Sequence, residues 1–167
     1  MRGPTYPRCD DRYVNRRYIG WSFVAVQLIL LVALIALPER ADWSDAPWLT
    51  GLAWMIGAGG GVVLLVAARG LGSSLTPTPV PTEHGHLTTT GLYRLVRHPI
   101  YTGVLMIVIG MVIGSSSVAA LLLGLVIVGF FSVKARWEEA QLRVRYPEYD
   151  AYASTVPRFV PSPFRRP

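Results

Sequence analysis

IYTGVLMIVIGMVIGSSSVAALLLGLVIVGFFSV, residues 100–133, is 34 residues long and holds no charged side chain. A single helix of that length would extend about 50 Å, well past the roughly 30 Å hydrocarbon core of a bilayer. Gly114-Ser115-Ser116-Ser117 interrupts the apolar run near its middle. The stretch therefore predicts two spans, 100–114 and 117–133, joined by a tight turn. Each half is short for a span, so the second helix is expected to continue past Lys134 into water as an amphipathic stretch.

Two further runs flank this hairpin on its N-terminal side. Tyr18 to Leu37 is 20 residues without a charge, and Trp48 to Ala68 is 21, entered by Pro47 and ended by Arg69-Gly70. Both are long enough to cross a bilayer. The first is too long for a signal peptide, and Leu37-Pro38-Glu39-Arg40 does not resemble a small-residue cleavage site. Tyr13, Tyr18, Trp21, Trp43 and Trp48 stand where interfacial aromatics are expected. The fold expected is all-α: one integral membrane domain over 1–167, with spans near 18–37, 48–68, 100–114 and 117–133. A loop, 69–99, and a tail, 134–167, lie outside the membrane.

Composition agrees: 51% of the residues are hydrophobic and 16% charged, against about a quarter charged in an average soluble domain. This excludes a disordered, solvating chain. One cysteine, Cys9, permits neither an internal disulfide nor a multi-cysteine zinc site. The net charge of +6 would suit nucleic acid only on a soluble basic face. Instead the Lys and Arg residues divide as five in 1–17, one in 38–47, three in 69–99 and seven in 134–167. Fifteen of the 16 fall on one side, so both termini and the middle loop are expected in the cytoplasm. The basic excess is an orientation signal, helped by anionic inner-leaflet lipid, and no nucleic-acid partner is expected.

Nearly all the reactive chemistry lies on that side. Leu75-Thr76-Pro77-Thr78-Pro79-Val80-Pro81 forbids helix and reads as a stiff spacer or a pocket wall. His84, His86 and His98 fall within 15 residues, but no carboxylate or cysteine follows at a familiar ligand spacing, so no metal is assigned. Arg97-His98-Pro99 places two donors where a helix enters the membrane, which suits a carboxylate or phosphate, or else a lipid headgroup anchor. Glu138 and Glu139 are adjacent. Glu139 stands four residues before Arg143, so a solvated face with one helical ion pair is the simple reading. The alternative is a site for ribose hydroxyls or an ammonium. Gly57-Ala58-Gly59-Gly60-Gly61 follows no strand, and Gly57 with Gly61 reads as close helix packing rather than a phosphate cradle.

An ordered set of motifs carries a resemblance: Leu87-x-Thr-x-Gly91-x-Tyr93, then Arg97-His98-Pro99-x-Tyr101-x-Gly103, a hydrophobic hairpin, and Glu138-Glu139. Tyr149-x-x-Tyr152-x-x-x-Val156-Pro157-Arg158-Phe159-Val160-Pro161 completes it. Over its last half the chain resembles the isoprenylcysteine carboxyl methyltransferases and their bacterial and phospholipid methyltransferase relatives. The resemblance implies an integral membrane enzyme, in a bacterial inner membrane. It would take S-adenosylmethionine from the cytoplasm and methylate a lipid-like or membrane-accessible acceptor. It assigns Tyr93, Arg97, His98, Tyr101, Glu138 and Glu139 to the cofactor, with His98, Glu138 and Glu139 as candidate catalytic residues. Two departures stand out: Gly85, between His84 and His86, occupies a position often held by histidine, and Arg145-Tyr146-Pro147 replaces the usual Phe-Gly, altering a turn.

The cofactor's carboxylate would suit Arg97 and His98, and its ammonium and ribose hydroxyls Glu138 or Glu139. Methyl transfer from a sulfonium needs alignment and exclusion of water, with no metal or covalent intermediate. A base is needed only if the acceptor is an amine or phenol. Two other readings have a basis in the sequence: a non-catalytic protein that docks a partner or anionic lipid on its basic face, and a nicotinamide-dependent membrane reductase of related architecture. Cys9, near the N-terminus, is not expected to be prenylated, because that signal is C-terminal and the chain ends Arg165-Arg166-Pro167. With so few residues for a substrate domain, the bilayer or a second copy of the chain is expected to supply missing walls.

Overall fold

The computed structural model describes residues 11–38, 42–43, 46–72 and 87–161. Cys9, the prolines of 75–81, His84, Gly85 and His86 lie outside them. The described residues form five α-helices, with a short 3-10 turn over Gly91–Arg94 and no strand. They are α1 (Asp11–Ala36), α2 (Pro47–Leu71), α3 (Pro99–Ser115), α4 (Val118–Arg145) and α5 (Tyr149–Thr155). Three of them, α1, α2 and α4, are long and apolar enough to cross a membrane, while α3 is apolar but only 17 residues. At about 1.5 Å per residue α3 covers roughly 25 Å, close to the hydrocarbon thickness.

The hairpin turn falls where the serines predict it. Ser116 takes a left-handed backbone conformation, with φ of 45°, and Ser117 caps α4 by accepting from the Ala120 N–H. Asp42, between α1 and α2, reaches the same turn: its N–H donates to the Ser116 carbonyl at 2.9 Å, and its carboxylate accepts from the Val118 N–H at 2.8 Å. The 28 residues of α4 reach about 42 Å. The helix runs unbroken past Val133, and Lys134–Arg145 forms the helical extension the sequence predicts.

Helices α2 and α3 pack backbone to backbone. A Cβ built on Gly60 would stand 2.6 Å from the Gly103 carbonyl oxygen, and one on Gly103 would stand 2.7 Å from that of Gly60. A Cβ on Gly110 would meet the Ala53 carbonyl at 2.7 Å. The glycine run thus serves close packing, as expected, through Gly60 and through Gly57, whose backbone nitrogen would stand 3.0 Å from a Cβ built on Gly110, while a Cβ on Gly61 would meet nothing within 4 Å.

Leu34, Leu105, Val108, Ala120, Ile127 and Phe131 form the buried core between α1, α3 and α4. Outward-facing Ile29, Val32, Ile35, Trp54, Met55 and Val62 stay exposed, as lipid-facing side chains must. The chain is an integral membrane helical bundle. One end carries the Asp42 loop and the Ser116 turn. The other gathers the end of α2, the start of α3, the extension of α4 and α5, and carries the site.

Candidate active site

Pro99 is the first residue of α3, and a residue preceding proline is kept out of the helical region, so the chain turns sharply at His98. That frees two N–H groups. Arg97 donates to the Pro157 carbonyl at 2.9 Å and His98 to that of Arg158 at 3.1 Å, while the Thr102 hydroxyl donates to the Phe159 carbonyl at 2.8 Å. The segment after α5 is stitched across the start of α3. Helix α5 is tied down in turn, by Tyr152 donating to the Tyr93 carbonyl at 2.5 Å and by Arg97 Nη1 donating to the Ala153 carbonyl at 2.9 Å.

This stitching assembles three basic side chains around Glu139, whose side chain is only 1% exposed. Arg158 grips it with two parallel hydrogen bonds, Nε to Oε1 and Nη2 to Oε2, both 2.8 Å. His98 Nε2 lies 3.2 Å and Arg97 Nη2 3.3 Å from Oε1. Burial alone would raise the Glu139 pKa. The hydrogen bonds from Arg158 and His98 and the Arg97 charge outweigh it and hold the carboxyl well below the usual range. The same hydrogen bond raises the pKa of Arg158. The simple sequence reading of Glu139 is therefore corrected. It is not on a solvated face paired with Arg143, because the C-terminal segment folds back over it, and Arg143 turns instead to Asp150 at 2.8 Å.

Glu138 differs from its neighbour. Its side chain is 25% exposed, its Oε2 accepts from the Tyr101 hydroxyl at 2.7 Å, and His98 Nδ1 stands 3.6 Å away. Glu138 Oε1 has no hydrogen-bond partner among the described residues. The His98 and Tyr101 rings stack, 5.2 Å apart and 4° from parallel. Arg97, His98, Tyr101, Glu138 and Glu139 are thus brought together from both ends of the hairpin. Tyr93 is set apart: it is buried and its hydroxyl points to the Ala67 carbonyl of α2 at 3.5 Å, tying the 3-10 turn to that helix. Burial, before any other cause, raises the phenols of Tyr93, Tyr149 and Tyr152, the last to about 12, so all three remain donors at neutral pH.

Two buried donors lack partners, Arg97 Nε and the Tyr149 hydroxyl. Unpaired donors beside a cationic cluster fit a ligand that brings acceptor oxygens. Two contributors carry no role in the sequence reading. Arg158 has a signal there, as the only basic residue of the Pro157–Pro161 segment. Thr102 has none, since only the folded chain shows what it faces. Among the described residues no three His, Cys, Asp or Glu side chains cluster as a metal site would require.

The family model for phospholipid methyltransferases matches residues 48–149, from the start of α2 to the start of α5. The chain belongs to this family. It is a membrane methyltransferase, and the match takes in α2 and the whole hairpin. Protein-S-isoprenylcysteine O-methyltransferase A of Arabidopsis thaliana is 40% identical over 81 residues, 45% of this chain and 41% of the plant protein. Its B counterpart is 35% identical over 81 residues, so the chain spans about two-fifths of either plant enzyme. The nickel-cobalt-cadmium resistance protein NccN of Alcaligenes xylosoxydans xylosoxydans is similar over more of the chain: 29% identity over 152 residues, 90% of this chain and 68% of the relative.

Proposed function

We propose that this family member is an S-adenosylmethionine-dependent methyltransferase, acting on a lipid-like or otherwise membrane-accessible acceptor at the cytoplasmic face of a bacterial inner membrane. The observation that carries the reading is the convergence of Arg97, His98 and Tyr101 with Glu138 at one end of the hairpin, where the buried donors Arg97 Nε and Tyr149 Oη lack partners among the described residues. By sequence, fifteen of the 16 basic residues fall in 1–17, 69–99 and 134–167, the segments expected on one side of the membrane, which supports a cytoplasmic site.

The donor set fits the cofactor. Arg97 Nε and the Tyr149 hydroxyl suit its carboxylate, and the partly exposed carboxylate of Glu138 suits its ammonium or a ribose hydroxyl. When bound, S-adenosylmethionine supplies an electrophilic methyl group on a sulfonium. Glu139 acts as a brace: its two oxygens fix Arg97, His98 and Arg158, and with its pKa held low it is a poor proton acceptor at neutral pH. The Tyr101 hydroxyl donates to Glu138 and holds it in place. If the acceptor must lose a proton, Glu138 and His98 are the groups placed to take it.

Membranes containing the protein, incubated with methyl-labelled S-adenosylmethionine and then separated into lipid, protein and water-soluble fractions, test this. Label is expected in the lipid-extractable fraction. Label confined to water-soluble products would contradict a membrane acceptor, and no transfer to any fraction would contradict the donor.

A further inference from the structure

Lys134 and Glu138 stand four residues apart on α4, the spacing at which opposite charges on one helix are neighbours and pair. The Glu138 charge acts on the Lys134 ammonium, yet no direct ion pair joins them, because the ammonium is engaged elsewhere. Lys134 is only 4% exposed, and its Nζ donates at 2.5 Å to Oε1 of Gln27, midway along the apolar run of α1 from Tyr18 to Ala36. The ammonium also lies over two ring faces, 5.2 Å from the centre of Tyr101 and 5.8 Å from that of Phe131.

This arrangement is imposed by α1. An unrestrained lysine beside an apolar segment extends its ammonium toward the polar end, and Glu138 is the carboxylate one turn on in that direction. Gln27 holds it back. It is the only polar side chain between Ser22 and Ala36, and an amide in such a run is costly unless it finds a partner. Its place is fixed by packing: Phe23, one turn earlier, meets Phe130 at 5.9 Å and Trp137 at 5.5 Å, and Leu34, further along α1, enters the core. Tyr101 touches both charges, with its ring under the Lys134 ammonium and its hydroxyl donating to Glu138 Oε2 at 2.7 Å. If Lys134 swung onto Glu138, a cation of the protein itself would occupy the carboxylate that a cationic ligand needs.

We propose that Gln27 is a positioning residue: by holding the Lys134 ammonium away from Glu138, it keeps that carboxylate open to the cationic methyl donor. The inference rests on the reading of Glu138 as a cofactor group. It gives a role in the site to α1, which lies outside the residues matched by the family model.

Calorimetric titration of S-adenosylmethionine into the full chain, in an uncharged detergent, reads the effect on the site. Gln27→Leu, which fills the space but accepts no hydrogen bond, is expected to bind at least fivefold more weakly than the wild type. Gln27→Glu still holds the ammonium and should bind no more weakly. Adding Lys134→Met to Gln27→Leu should return the affinity to within about twofold of the wild type, a rescue that lost packing alone would not give. Wild-type affinity in Gln27→Leu overturns the proposal, as does a loss that Lys134→Met does not rescue. Gln27→Ala makes the same comparison if the leucine variant fails to fold. A second measurement needs no ligand. The coupling between Lys134→Met and Glu138→Gln, read as the departure of their thermal-midpoint shifts from additivity, should be larger with leucine or alanine at position 27 than with glutamine. Equal coupling in both backgrounds overturns the restraint. Larger coupling without donor binding by the wild type overturns only the choice of methyl donor, and donor binding with equal coupling overturns only the role of Gln27.

Discussion

Helix α3 makes two junctions that differ in kind. Along its length it meets α2 through Gly60, Gly103 and Gly110, where backbones touch and no side chain intervenes. At its N-terminus it meets α4 and the C-terminal segment through Arg97, His98, Glu139 and Arg158, where almost everything is charge. The first junction has no titratable part and tolerates no added atom. The second is held by groups that respond to pH and to ligands. The division assigns architecture to the glycine seam and chemistry to the polar end, and each can be broken without the other.

The largest effect is expected from Gly103→Leu. Even the first added carbon would stand 2.7 Å from the Gly60 carbonyl oxygen and the Leu64 nitrogen, both backbone atoms. A loss of about 3 kcal/mol or failure to fold should follow, seen as reduced monodisperse yield and a lowered thermal midpoint in detergent. A stable, folded variant would show that the seam is looser than described.

Glu139→Gln comes next. Removing the charge leaves Arg97 and Arg158 buried without their counter-ion, at a cost of about 3 kcal/mol. The pH dependence sharpens this. Because the folded-state pKa of Glu139 is depressed, its stabilisation is complete above about pH 5 and is lost as pH falls through the carboxylate range toward the folded value. The gap in thermal midpoint between wild type and Glu139→Gln should therefore narrow steadily on acidification. A gap independent of pH would contradict the brace.

Asp42→Asn, at the far end of the bundle, should do least. It weakens one exposed hydrogen bond, to the Val118 N–H, and is expected to cost under about 1 kcal/mol with no change in ligand affinity.

The legibility of the sequence divides along the same line. The hairpin, the turn at Ser116 and the run of α4 past Lys134 follow from uncharged length and local turn chemistry, which are properties of neighbouring residues. Glycine packing was also readable, but a pattern of glycines in one helix cannot show which of them meets the partner, and Gly57 and Gly60 rather than Gly61 do so. The polar end was readable as a set of residues through the family's ordered motifs. Its wiring was not, because Glu139 finds Arg158 only after α5 reverses the chain, whereas spacing along α4 suggests the nearer Arg143. The partner of Lys134 was invisible for the same reason: Gln27 is 107 positions away.

The central claim is that the polar end binds S-adenosylmethionine through Glu138 while Glu139 only braces it. Calorimetric titration of S-adenosylmethionine into the wild type, Glu138→Gln and Asp42→Asn tests it most directly. The account expects binding by the wild type and by Asp42→Asn, and at least a tenfold loss in Glu138→Gln with its thermal midpoint nearly unchanged. Equal affinity in all three proteins would contradict it.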